Sequence, residues 1–195
     1  MYRCLITSEP SSEPVTLTEL KAHLRVDHSL DDTELGDKIT EARKALETRT
    51  NRAFFTQTRT LYFSSFDHTT SRILLPGSPV SSITSVVYVD VNGDSQTWTS
   101  SEYSLRVGEP SYLQLAYNED WPDTRSKRDD IVITYVCGAS DVADIDSRAK
   151  AAIKLYVELN YDREENRDKT SERIDKSYET LVNQLTIGDE FLSYA

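Results

Sequence analysis

The sequence predicts an α+β protein: an α-helical bundle module, made of N- and C-terminal helices packed together, that carries an inserted antiparallel β domain. Three observations lead there. Apolar residues recur at helical spacing up to about residue 56, alternate in short β-branched runs from about Gln57, and return to helical spacing after Gly138. The chain therefore divides into residues 1–56 (N-terminal helical part), 57–137 (inserted β domain) and 138–195 (C-terminal helical part completing the helical module). Neither helical end is long enough for a full core of its own, so the two are expected to pack together.

The first helix is announced by Thr16-Leu17-Thr18-Glu19, a capping box in which Thr16 and Glu19 satisfy each other's backbone amides. Leu17, Leu20 and Leu24 follow at helical spacing, and the helix is expected to end near Arg25. A second helix starts after Ser29-Leu30-Asp31-Asp32, where either aspartate can cap it and complement the macrodipole. Its apolar face is Leu35, Ile39, Ala42 and Leu46, spaced four, three and four. Gly36, which costs about 1 kcal/mol against alanine in a helix, is expected to mark a close helix contact.

In the middle, "TRTLYFSSF", "RILLP", "SITSVVYVDV", "QTWT", "YSLRV", "YLQLAY" and "DIVITYVCG" read as strands separated by Gly, Pro, Asn and Asp. Such short strands fit a compact antiparallel sheet or small barrel. In "YLQLAY", Leu113, Leu115 and Tyr117 are expected on the buried side and Tyr112, Gln114 and Ala116 on the wet side. The stretch Asp90, Asn92, Asp94 imitates the opening of a calcium loop. That loop needs glycine at its sixth position and glutamate at its twelfth, which here are Ser95 and Ser101. Asn92-Gly93 between two β-branched and aromatic runs is a hairpin signal instead, expected as a type I′ turn.

After Gly138, Asp144 or Asp146 can cap a helix whose inner face is Ala149, Ile153, Tyr156 and Asn160, with Ala152, Val157 and Leu159 beside it. "YDREENRDKTSER" interrupts the apolar pattern; its mixed charges read as a solvated helix end or exposed loop. Ile174, Tyr178, Leu181 and Leu185 resume the pattern, and Gly188 supplies a stop.

Charge and composition narrow the function. The 22 basic and 33 acidic residues among 195 give a formal net charge of −11, which disfavours binding nucleic acid or an anionic membrane through surface charge. No apolar run approaches the ~20 residues of a membrane span, and MYRCLITSEP is too short and polar for a signal peptide. Two cysteines, Cys4 and Cys137, form no disulfide framework, so a reducing cytoplasm is expected.

Catalytic patterns fail one by one. His23 and His28 are five apart, on different helix faces, without an HExxH or paired-cysteine pattern. Trp121-Pro122-Asp123 resembles the acid loop of tyrosine phosphatases, but the only downstream cysteine, Cys137, has Ala143 where the phosphate-binding arginine would stand. Trp121 is expected to pack the sheet edge. The acidic pairs Asp31-Asp32, Glu119-Asp120 and Asp129-Asp130 fit caps and turns better than a glycosidase pair across a cleft. No nucleophile elbow or phosphate loop is present. No catalytic residue, metal site or cofactor is expected.

Two stretches carry a family resemblance. "PVTLTELKAHLRVDHSLDDTELGDKITEARKALETRTNRAF" resembles the N-terminal signature of phage head–tail connector (adaptor) proteins. Its landmarks are Pro14-Val15-Thr16-Leu17, His23-Leu24-Arg25-Val26-Asp27, Asp31-Asp32 and Thr50-Asn51-Arg52-Ala53. The strand-rich middle with "LPGSPVSSITSVVYVDVNGD", Trp121-Pro122 and "ITYVCG", leading into "AAIKLYVELNYDRE" through Tyr161 to Glu164, is similar to the variant of that family with an inserted β domain. The resemblance implies a virion structural protein and not an enzyme. It implies a homo-oligomeric ring of about a dozen copies beneath the portal protein, at the neck of the virion, with the host cytoplasm as the place of assembly. Such a ring extends the DNA channel and offers a docking platform to the stopper or tail-completion protein. Double-stranded DNA passes its lumen without specific binding, in keeping with an acidic chain, since a basic lumen would hold phosphate.

After Gly188, "DEFLSYA" presents Phe191, Leu192 and Tyr194 on a tail too short to fold alone. In the family, C-terminal segments reach towards the portal, which makes these three a candidate portal-docking tail; packing back onto the chain's own helices is the other reading. Without the resemblance, an acidic α/β chain with an aromatic-rich sheet also fits a non-catalytic carbohydrate- or protein-binding module, which would bind through a pocket.

Overall fold

A computed structural model of the chain describes residues 2–161 and 170–187. It is a mixed α+β structure of two compact units. One holds residues 2–10, 56–138 and Ile187; the other holds Ser11–Phe55, 139–161 and 170–186.

The second unit is helical, with α1 (Leu17–Leu24), α2 (Asp32–Thr50), α3 (Ser147–Asn160) and α4 (Thr170–Leu185). Its core joins the two ends of the chain: Leu20, Leu24, Leu35, Ile39 and Leu46 pack with Ala149, Ile153, Val157, Val182 and Leu185. The Thr16 hydroxyl accepts the Glu19 amide at 3.2 Å and the Glu19 carboxylate accepts the Thr16 amide at 2.9 Å, so both halves of the capping box form. Both α1 and α2 end on a left-handed residue, Arg25 and Asn51; Asn tolerates that conformation better than most. Asp146 caps α3 by accepting the Arg148 amide at 2.8 Å. Two expectations shift. A Cβ at Gly36 would meet nothing within 4 Å, so no helix presses on it. The buried stripe of α3 is Ala149, Ala152, Ile153 and Val157; Asn160 is exposed, its amide donating to the Tyr156 carbonyl.

The first unit is built of antiparallel strands: β1 (Arg3–Ser8), β2 (Gln57–Phe63), β3 (Arg72–Leu75), β4 (Val80–Val89), β5 (Ser95–Thr97), β6 (Tyr103–Arg106), β7 (Ser111–Leu115) and β8 (Ile131–Cys137). They form two sheets, ordered β1-β2-β8-β4-β5 and β3-β7-β6, where the sequence suggested one sheet or a small barrel. The segment Arg3–Ser8, assigned by the sequence to the helical part, pairs with β2 as an edge strand. Leu113 is buried as expected, but β7 ends at Leu115 and Tyr117, beyond it, is 96% exposed. The Asn92-Gly93 hairpin is present, though not as type I′: Gly93 has φ +96° while Asn92 is not among the positive-φ residues. The Gly93 amide bonds the Asp90 carbonyl and the Asp90 amide the Asp94 carbonyl, the pattern of a type I turn closed by a left-handed glycine.

No helix among the described residues is long and apolar enough to cross a membrane.

Candidate functional site

The acidic loop after β4 resolves first. The Asp90 carboxylate accepts the Asn92 and Asp94 amides at 2.9 and 3.0 Å and the Gln96 side-chain amide at 3.0 Å, which holds it below the usual carboxylate range. Its oxygens organise the turn. Among the described residues, no group of three or more His, Cys, Asp or Glu is placed to hold a metal ion.

Several other acids singled out in the sequence also serve structure. Asp31 makes no side-chain cap to α2; its carboxylate instead accepts the Tyr161 hydroxyl at 2.5 Å, joining the end of α3 to the start of α2. Asp32 receives Lys21 at 2.6 Å, and His23 meets Glu158 at 2.8 Å, linking α1 to α2 and to α3. Asp130 is buried and takes the Arg125 guanidinium at 2.9–3.1 Å together with the Lys127 amide at 2.7 Å; Arg125 is the main cause of its lowered pKa. Glu119 and Asp120 are exposed on a loop. Cys137 is buried, and burial pushes the Cys4 thiol up, so neither is poised as a nucleophile.

A buried charge network, not anticipated from sequence, fixes the entry and exit of α2. Arg43 is 1% exposed; its guanidinium contacts Glu13 at 2.8 and 3.3 Å and Glu47 at 3.2 Å. Glu13 also accepts the Thr40 hydroxyl at 2.9 Å, and Glu47 the Phe54 amide at 2.9 Å. The only sequence clue was the i, i+4 spacing of Arg43 and Glu47 beside the apolar stripe.

The β unit has its own anchor. Trp121 is buried, stacks on Phe66 at 5.0 Å with 9° between planes, and donates its indole N–H to the Thr70 carbonyl. Trp98 completes the cluster, 5.3 Å from Trp121 and 5.1 Å from Tyr103. Trp121 thus packs inside an aromatic cluster rather than serving an acid loop.

Two surfaces stand out for assembly. On the helical unit, Tyr156 and Tyr178 (centroids 5.8 Å apart) line a shallow groove of about 580 Å³ with Ala45 and Arg49. On the β unit, the five-stranded sheet has unequal faces. Ile131, Ile133, Tyr135 and Cys137 of β8 are fully buried on one. On the other, Val136 sits between Thr58 and Ser82, Thr134 between Thr60 and Ser85, and Val132 between Tyr62 and Val87. Val132, Thr134 and Val136 remain partly exposed although they lie on the central strand, so nothing among the described residues packs squarely over them. The candidate tail residues Phe191, Leu192 and Tyr194 lie outside the described residues.

This fold is shared with chains in solved structures of gene transfer agent particles. A chain from the neck of an empty gene transfer agent (GTA) particle, computed with C6 symmetry, superposes with TM-score 0.74 at 16% identity, covering 95% of this chain and 96% of that one. A chain from the virion of a native GTA particle gives 0.72 at 16% identity, covering 95% of each. One from the neck of a native GTA particle computed with C12 symmetry gives 0.65 at 17%, covering 94% and 96%. Comparison of the sequence with curated proteins finds no match. The protein thus shares the fold of these particle chains. Residues 14–105, from the capping box through α2 into β6, match the model of the phage gp6-like head-tail connector protein family. Over those residues the chain is similar to the phage head–tail connector proteins.

Proposed function

We propose that the chain forms a ring of about a dozen copies beneath the portal protein, where it extends the DNA channel and offers a platform to the stopper or tail-completion protein. The observation that carries this reading is the family match over residues 14–105, which spans the helical entry and most of the inserted strands. Three further features support it. The likeness in fold extends over nearly the whole chain to proteins from necks computed with C6 and C12 symmetry. The net charge of −11 suits a conduit through which the duplex slides without phosphate contacts. The carboxylates of Asp31, Asp90 and Asp130 are engaged in structural hydrogen bonds, which fits a structural role.

In this reading Phe191, Leu192 and Tyr194 anchor the C-terminal tail to the portal, and assembly takes place in the host cytoplasm before the particle is complete. Disrupting the gene and imaging the lysate by electron microscopy tests the function. Filled or leaking heads beside free, finished tails are expected; normally joined particles would overturn the reading.

A further inference from the structure

The outer face of the five-stranded sheet is free of charge. In a chain with 28% charged residues, the nine positions of β2, β8 and β4 in register on this face are all Thr, Ser, Val or Tyr, with Thr60 buried and the other eight partly or fully exposed. Charge on that side stays at its margins: Arg3 at the β1 edge lies over the Tyr62 ring at 4.5 Å and pairs with Asp129 at 3.1 Å, and Asp130, two residues before Val132, is paired with Arg125 at 2.9 Å. Exposed protein surface is ordinarily rich in Lys, Glu, Asp and Arg, so an uncharged central sheet face needs a reason.

We propose that this face, centred on Thr134, is one half of the contact between neighbouring copies of the chain. The proposal rests on the ring reading above and assigns a surface within it. Each copy carries a charge of −11, so two copies meeting over most of their surface would set acid against acid. The face without acids is where that repulsion is smallest, and interface cores are characteristically depleted of charged residues. Its β-branched side chains have little rotamer freedom to lose. A duplex is a poor occupant, because phosphate binding needs cations that the face lacks. From strand spacing and rise the three strands present a face of about 14 by 20 Å, the scale of a patch within one partner's share of an interface. A ring contact is heterologous, so this face meets a different surface on its neighbour.

The test places the photo-crosslinking residue p-benzoylphenylalanine at Val136 in the full chain and irradiates assembled particles. A covalent pair of the 22.2 kDa chains is expected. A product joined to another polypeptide, a cross-link confined to one chain, or no cross-link would overturn the proposal. In parallel, Thr134→Glu is expected to lower the amount of the chain in purified necks at least tenfold with its circular dichroism unchanged, while Thr134→Val incorporates normally. Equal incorporation of the Glu variant would sink the assignment of this face. Microscopy of wild-type necks separates the two levels: a ring without the cross-link defeats only the face, whereas no ring of this chain defeats the connector geometry as well.

Discussion

Glu47 and Phe54 are joined across the end of α2: the Phe54 amide donates to one oxygen of the Glu47 carboxylate at 2.9 Å, and the other oxygen accepts from Arg43 at 3.2 Å. Both charged side chains are buried, so the pair cannot be broken cheaply. Removing one partner leaves the other desolvated and incompletely paired, a loss of about 3–5 kcal/mol. Glu47→Ala is therefore expected to lower unfolding stability by an amount in that range in urea titration, and Glu47→Gln, which retains an acceptor for Phe54, by less. A Glu47→Ala cost under ~1 kcal/mol would show that Glu13 alone neutralises Arg43.

Trp121 makes the next prediction. Its replacement by Ala removes the stack on Phe66, the contact with Trp98 and the bond to the Thr70 carbonyl. Large-to-small changes of aromatic core residues cost about 3–5 kcal/mol. Loss of the near-ultraviolet dichroism of the aromatic cluster should accompany the drop in stability; a retained signal would place the cluster's order elsewhere.

Gly77 has φ +82°, and a Cβ built there would fall 2.5 Å from the buried Arg59 guanidinium. Left-handed backbone and steric overlap act together, so Gly77→Ala is expected to destabilise by more than ~1 kcal/mol. The measurement is the thermal midpoint, and an unchanged midpoint would mean that Arg59 relocates freely.

Asp130 confers acid sensitivity. Its bonds to Arg125 and to the Lys127 amide lower its pKa below the ordinary 3.8. A depressed carboxylate stabilises the fold fully above the unfolded value and loses that contribution as pH falls through the folded one. Stability should therefore decline below about pH 4, and Asp130→Asn should be less stable near neutrality with a shallower decline in acid. Parallel profiles for the two proteins would remove Asp130 as a cause.

The C-terminal tail is separable from the fold in the proposed scheme. Deleting residues 189–195 is expected to abolish docking to the portal while leaving circular dichroism and melting unchanged. Retained docking would refute the role of Phe191, Leu192 and Tyr194.

Most elements were legible because their apolar residues follow a single period. The seven strands from β2 to β8 and the helix starts at Thr16 and Asp146 all match signals in the sequence. The edge strand β1 was not, since five of its six residues are exposed and its pairing with β2 runs through the backbone. The Arg43 network was hidden for the opposite reason: burial of a charged residue is the reverse of what a hydrophobic pattern reports. The uncharged sheet face was obscured because Val132, Thr134 and Val136 are as β-branched as their buried neighbours Ile131 and Ile133, which erases the alternation that marks a wet side.

The chain passes between its two units four times, at residues 10–11, 55–56, 138–139 and 186–187. The units are thus joined by several lengths of chain and not by a single linker. A single protease cut at any crossing leaves the halves covalently attached, so that wiring keeps both units together after one break.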